Sequence, residues 1–139
     1  MEDDINILLL NDKSFCAGQY LPIEFGKCHN YHGHNYRMTN IKVKTKGIVD
    51  LSRIKEVIDS FDHVTIAPEK DAEQLQKIVD FMVKESINIF VLKYITIPYD
   101  MSAGEYIGKY IKDQMMKICG VLEVTFELYE TATQGFKIP

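Results

Sequence analysis

Apolar and polar side chains alternate along residues 36–45 and again along 121–129, and each stretch reads as a strand with one buried face. In the first, Ile41 and Val43 point one way and Lys42 and Lys44 the other. Residues 5–17 read as an earlier strand, with an apolar run from Ile7 to Leu10 and turn residues at Asn11 and Asp12. Residues 18–30, punctuated by Pro22 and Gly26, read as a loop. Between residues 47 and 120 the period lengthens. Leu51, Ile54, Val57, Ile58 and Phe61 fall at helical spacing behind Asp50 or Ser52 as a cap. Leu75, Ile78, Val79 and Met82 repeat that spacing over 71–85. Ser102-Ala103-Gly104-Glu105 has the form of a capping box and predicts a third helix that runs to Gly120. Short β-branched or apolar runs at 93–97 and 136–138 add a small extra strand and a final one. The order β-β-α-α-α-β-β predicts an α+β fold, an antiparallel sheet with helices packed on one face.

Composition narrows the function classes. With 139 residues, 46% hydrophobic and 26% charged, the chain fits one globular domain, 1–139, without repeat or linker. A net charge of -4 argues against a nucleic-acid partner held by basic patches. The acidic start Met1-Glu2-Asp3-Asp4 is unlike a signal peptide, and the apolar run 87–97 carries Lys93 and is too short to span a bilayer. No membrane role is expected. Three cysteines without a secreted framework's spacing predict reduced thiols in a cytoplasmic protein. Cys16 and Cys119 lie inside apolar strand and helix patterns and are expected to pack.

The chemistry concentrates in Cys28-His29-Asn30-Tyr31-His32-Gly33-His34-Asn35-Tyr36. On a strand, His32 and His34 point to the same face, and two converging imidazoles can bind a divalent metal such as zinc. A thiol this near can serve as nucleophile, base or further ligand.

These residues, with three further blocks, carry a resemblance. Lys27-Cys28 followed by His32-Gly33-His34-Asn35-Tyr36 resembles the Cys-x-x-x-His-Gly-His signature of the 6-pyruvoyl-tetrahydropterin synthases and 6-carboxy-tetrahydropterin synthases. The run from Gly47 to Lys55 resembles the segment that enters that family's first helix, and Phe61-Asp62-His63 its Leu-Asp-His motif. Tyr129-Glu130-Thr131-Ala132-Thr133 is similar to its Glu-Thr-x-Thr segment. The match covers nearly all of the chain except residues 68–100, a stretch that varies within the family.

The resemblance implies a tunnelling fold, an antiparallel four-stranded sheet with helices on one face. Such subunits associate through strand edges into trimers that stack as hexamers, which hides the open edges. It implies a zinc-dependent lyase or synthase acting on 7,8-dihydroneopterin triphosphate. The 6-carboxy type is favoured, and it feeds deazapurine synthesis for modified tRNA bases. The alternatives are the 6-pyruvoyl reaction, a retro-aldol cleavage, or a non-catalytic pterin-binding oligomer that has lost full zinc coordination. By the same resemblance Cys28 is the catalytic thiol, Asp62 and His63 its supporting pair, and Glu130 the anchor of the pterin ring. Thr131 and Thr133 would add hydroxyl contacts. His32 and His34 match two of three zinc ligands. The third position, a histidine in the family, here holds Gln19, whose neutral amide oxygen is a poorer ligand than imidazole. Either Gln19 ligates weakly, or His29 or Cys28 takes its place, or the site holds no metal.

Overall fold

The computed structural model describes residues 4–87 and 93–139. Its elements are strands β1 (Ile5–Leu10), β2 (Lys13–Gln19) and β3 (His32–Lys46), then helix α1 (Leu51–Asp59) and strand β4 (Val64–Pro68). Helix α2 (Ala72–Lys84), strand β5 (Tyr94–Ile97), helix α3 (Gly104–Met116) and strands β6 (Val121–Tyr129) and β7 (Gly135–Ile138) follow.

The sheet corrects the expected four antiparallel strands. Among the described residues it has seven, ordered β5-β4-β2-β3-β6-β7, with β1 also paired to β3. Two causes account for the difference. Asn11 and Asp12 interrupt what reads as one strand over 5–17, so β1 and β2 lie end to end along the same edge of β3. Beyond them, β4 pairs parallel to β2, and β5 parallel to β4. All five residues of β4 are buried, which removes the alternation that reveals a half-exposed strand.

Strand β3 is the spine of the sheet, and a bulge divides it. Its inward positions are even before the bulge (Tyr36, Met38) and odd after it (Ile41, Val43, Thr45). The register against β6 shifts between Thr39 and Lys42, where Asn40 takes φ 50°. The Thr39 hydroxyl and the Asn40 side-chain amide both donate to Glu127 Oε1 on β6, each at 3.0 Å. An extra residue of this kind reverses the facing of everything beyond it.

Helices α1 and α3 bury Ile54, Ile58, Ile107, Ile111 and Met115 in the same core as Phe15, Tyr36, Met38, Val43, Phe126 and Leu128. The chain enters α1 through Asp50, whose carboxylate accepts from the Ser52 N–H at 3.0 Å. The capping box expected at Ser102 does not form. Ser102 is buried and donates its hydroxyl to the Tyr20 carbonyl at 3.1 Å, and Ala103 takes the cap position. Helix α2 buries only Met82, and with Tyr20, Tyr31, Thr65 and Tyr94 it encloses an apolar cavity of about 520 Å³. The stretch 68–100, expected to vary within the family, holds α2 and β5, while its residues 88–92 lie outside those described, as do the first three of the acidic start. No helix of the described residues is long and apolar enough to cross a membrane.

Candidate functional site

The antiparallel register of β2 on β3 sets Gln19 opposite His32, Ala17 opposite His34 and Phe15 opposite Tyr36. Directly opposed residues share a face, so Gln19, His32, His34 and Tyr36 gather at one end of the sheet. The rings of His32 and His34 meet edge to face with centroids 4.9 Å apart, and His34 stands 5.5 Å from Tyr36. The two histidines share a face as the alternation predicts.

Gln19 is 2% exposed, and both ends of its amide are engaged. The Tyr36 hydroxyl donates to Gln19 Oε1 at 2.5 Å, and Gln19 Nε2 lies 3.4 Å from His32 Nε2. His32 Nδ1 is 2.7 Å from the Asn30 carbonyl oxygen. Burial, and after it the charge of Glu130, raises the Tyr36 hydroxyl well above the ordinary phenol range, so Tyr36 stays a donor. The residues as arranged do not fit zinc: the amide oxygen that would complete a three-donor set faces the Tyr36 hydroxyl, and the NH2 group is turned toward His32. His29 anchors its Nδ1 at 2.8 Å from the Leu21 carbonyl oxygen. Among the described residues no three His, Cys, Asp or Glu side chains gather as a metal site.

Glu130 directly follows β6, and its N–H donates to the Gln134 carbonyl at 3.0 Å in the turn to β7. Its carboxylate lies against Gly104, the first residue of α3, so closely that a side chain at 104 would collide with it and with Phe136. The Thr131 hydroxyl oxygen accepts from the Gln134 N–H at 3.0 Å, and Thr131 and Thr133 are exposed.

Asp62 and His63 follow α1 and are clamped to β2 at Cys16. Asp62 Oδ1 accepts the Cys16 N–H at 2.8 Å and lies 3.0 Å from His63 Nδ1, while the His63 N–H donates to the Cys16 carbonyl at 2.6 Å. His63 takes φ 59°, a left-handed backbone that closes this turn. The Cys16 N–H, and after it the His63 side chain, hold the Asp62 carboxyl below its ordinary value of 3.8. That stabilisation is fully present above pH 3.8 and is lost as pH falls through it toward the lower folded-state pKa. Asp62→Asn should therefore flatten the acid limb of stability below about pH 4. Thermal melts across that window check it, and equal slopes in both proteins would refute it.

His63, His34, Cys16, Asn35 and Tyr31 line a cavity of about 350 Å³. Cys16 corrects the expectation that it packs: it is exposed, with Sγ 3.5 Å from Asn35 Oδ1, and Cys119 is exposed too. The signal was present in β2, where inward Phe15 and Ala17 leave Cys16 on the opposite face. Cys28 sits on an exposed 3-10 segment, Ile23–His29, where its carbonyl accepts from the Leu21 N–H at 2.8 Å. It is not among the residues that line the His63 cavity.

A family model described as 6-pyruvoyl tetrahydropterin synthase matches residues 9–139. Among solved structures the fold is similar to the 6-pyruvoyltetrahydropterin synthase of Plasmodium vivax, at 19% identity, 98% coverage of each chain and a TM-score of 0.62. It is also similar to the Plasmodium falciparum 6-pyruvoyl tetrahydropterin synthase, at 19% identity, 96% coverage of each chain and a TM-score of 0.58. Among curated proteins none matches the chain.

Proposed function

Because the chain belongs to the 6-pyruvoyl tetrahydropterin synthase family, we propose that it binds 7,8-dihydroneopterin triphosphate and converts its side chain by proton transfer. The observation that carries this reading is the Asp62–His63 pair, oriented by two backbone hydrogen bonds to Cys16 beside a cavity. A carboxylate on Nδ1 leaves Nε2 of the imidazole free to move a proton to or from a substrate. Glu130 anchors the ring, since a carboxylate accepts two N–H bonds from the amino and amide side of a pterin. Thr131 and Thr133, both exposed beside it, supply hydroxyls. Cys28 is the thiol of the motif and acts with the pair once subunits assemble. Members of this family generally use zinc. Gln19, His32 and His34 do not fit it here, and the proton transfer rests on the Asp62–His63 pair.

The remaining parts of this reading are a tunnelling fold, a trimer-based hexamer joined through the outer edges of β5 and β7, and a cytoplasmic setting for three free thiols. We read the product as the 6-carboxy type, and the retained Cys28 weighs against the retro-aldol alternative. A second reading, a pterin-binding oligomer without turnover, is favoured by one observation, the engaged amide of Gln19.

Product chromatography after incubation with 7,8-dihydroneopterin triphosphate tests the choice, on protein whose mass is read by light scattering. A 6-carboxy-tetrahydropterin peak from a multimer is expected. Tight ring binding with no product would leave the second reading, and a stable monomer without ring affinity would remove both.

A further inference from the structure

We infer that Tyr36 and Gln19 close the zinc position from within, so that this chain works with a metal-free histidine pair in which His32 carries its proton on Nδ1. The inference rests on the pterin-site reading but concerns only how the site is wired.

The direction of each hydrogen bond follows from its neighbour. The Asn30 carbonyl oxygen, 2.7 Å from His32 Nδ1, can only accept, so Nδ1 carries the hydrogen. Neutral imidazole then presents a lone pair at Nε2, the atom 3.4 Å from Gln19 Nε2. Only an amide N–H can face that lone pair. This fixes the Gln19 carbonyl at the other end, where the Tyr36 hydroxyl donates to it at 2.5 Å. Turning the amide over would set its oxygen against the His32 lone pair and leave the hydrogen of the buried Tyr36 hydroxyl without its acceptor. The four groups from Asn30 through His32 and Gln19 to Tyr36 therefore agree on one orientation.

An Nδ1–H bound to a backbone carbonyl is also how metal-ligating histidines are commonly held, with Nε2 left to the ion. Here that lone pair meets an amide hydrogen instead. For zinc to recruit Gln19 Oε1, the amide must rotate and the Tyr36 bond must break inside the protein, where Tyr36 is 0% exposed. Tyr36 and Gln19 are thus positioning residues: they occupy the Nε2 side of His32, whose tautomer the Asn30 carbonyl sets, without needing to touch substrate.

Two measurements test this. Long-range proton–nitrogen NMR of the unmodified protein should show His32 protonated at Nδ1, and calorimetry with zinc alone should show weak binding. Gln19→His should tighten zinc by about 100-fold, the upper range for changes that reorganise a metal site, and Tyr36→Phe by about tenfold by freeing the amide. Stoichiometric zinc kept by the unmodified protein through chelation overturns the inference, as does a proton on His32 Nε2. An unchanged zinc affinity in Tyr36→Phe overturns the lock. If Gln19→His does not fold, the readings on the unmodified protein still decide. Failure of the pterin reading would show as lost ring binding, which none of these measurements reports.

Discussion

Replacing Glu130 with alanine should weaken the binding of a pterin ring by about 100-fold or more, while the melting temperature stays within a few degrees. The carboxylate is asked to accept two N–H bonds, and bonds to a charged group contribute about 1.5–3 kcal/mol each. Their joint loss, at about 1.4 kcal/mol per factor of ten, gives at least a hundredfold. Stability should change little because Glu130 is held in the β6–β7 turn by its backbone N–H rather than by its side chain. Calorimetry with a pterin and a thermal melt check the two halves. Unaltered affinity would take this residue out of the site.

Substituting His63 with alanine should lower turnover by about 1000-fold with KM little changed, since a positioned acid or base contributes roughly 10²–10⁴. The backbone clamp between residue 63 and Cys16 survives the change, so the fold around Asp62 persists. What is lost is the imidazole whose Nδ1 rests 3.0 Å from Asp62 Oδ1. Steady-state kinetics on dihydroneopterin triphosphate give the answer. Turnover within threefold of the unmodified enzyme would mean that the proton travels by another group.

Much of the fold is legible in the residues because it follows from local spacing. Helices α1, α2 and α3 and strands β3 and β6 stand where the periodicities set them, to within a few positions. What escapes is non-local. β4 is a buried run between two helical patterns, and only its parallel pairing with β2 and β5 makes it a strand. Ser102 satisfies the capping pattern, yet the Tyr20 carbonyl competes for its hydroxyl from across the structure. The site divides the same way. Alternation puts His32 and His34 on one face, whereas the engagement of Gln19 by Tyr36 depends on the β2–β3 register. The tie from Asp62 to Cys16 depends on where α1 delivers the chain back to β2.

The crease in β3 at Asn40 separates two reading frames within one strand. Upstream, frame and function coincide: gaining or losing one residue between His34 and Asn40 would swing the histidines to the opposite side. The same change downstream leaves them where they are and inverts Val43 and Thr45 instead. Glu127 on the neighbouring strand fixes where one frame ends and the other begins. A slip in the β1 half of the sheet is thereby confined to that half, and the histidine end does not inherit it.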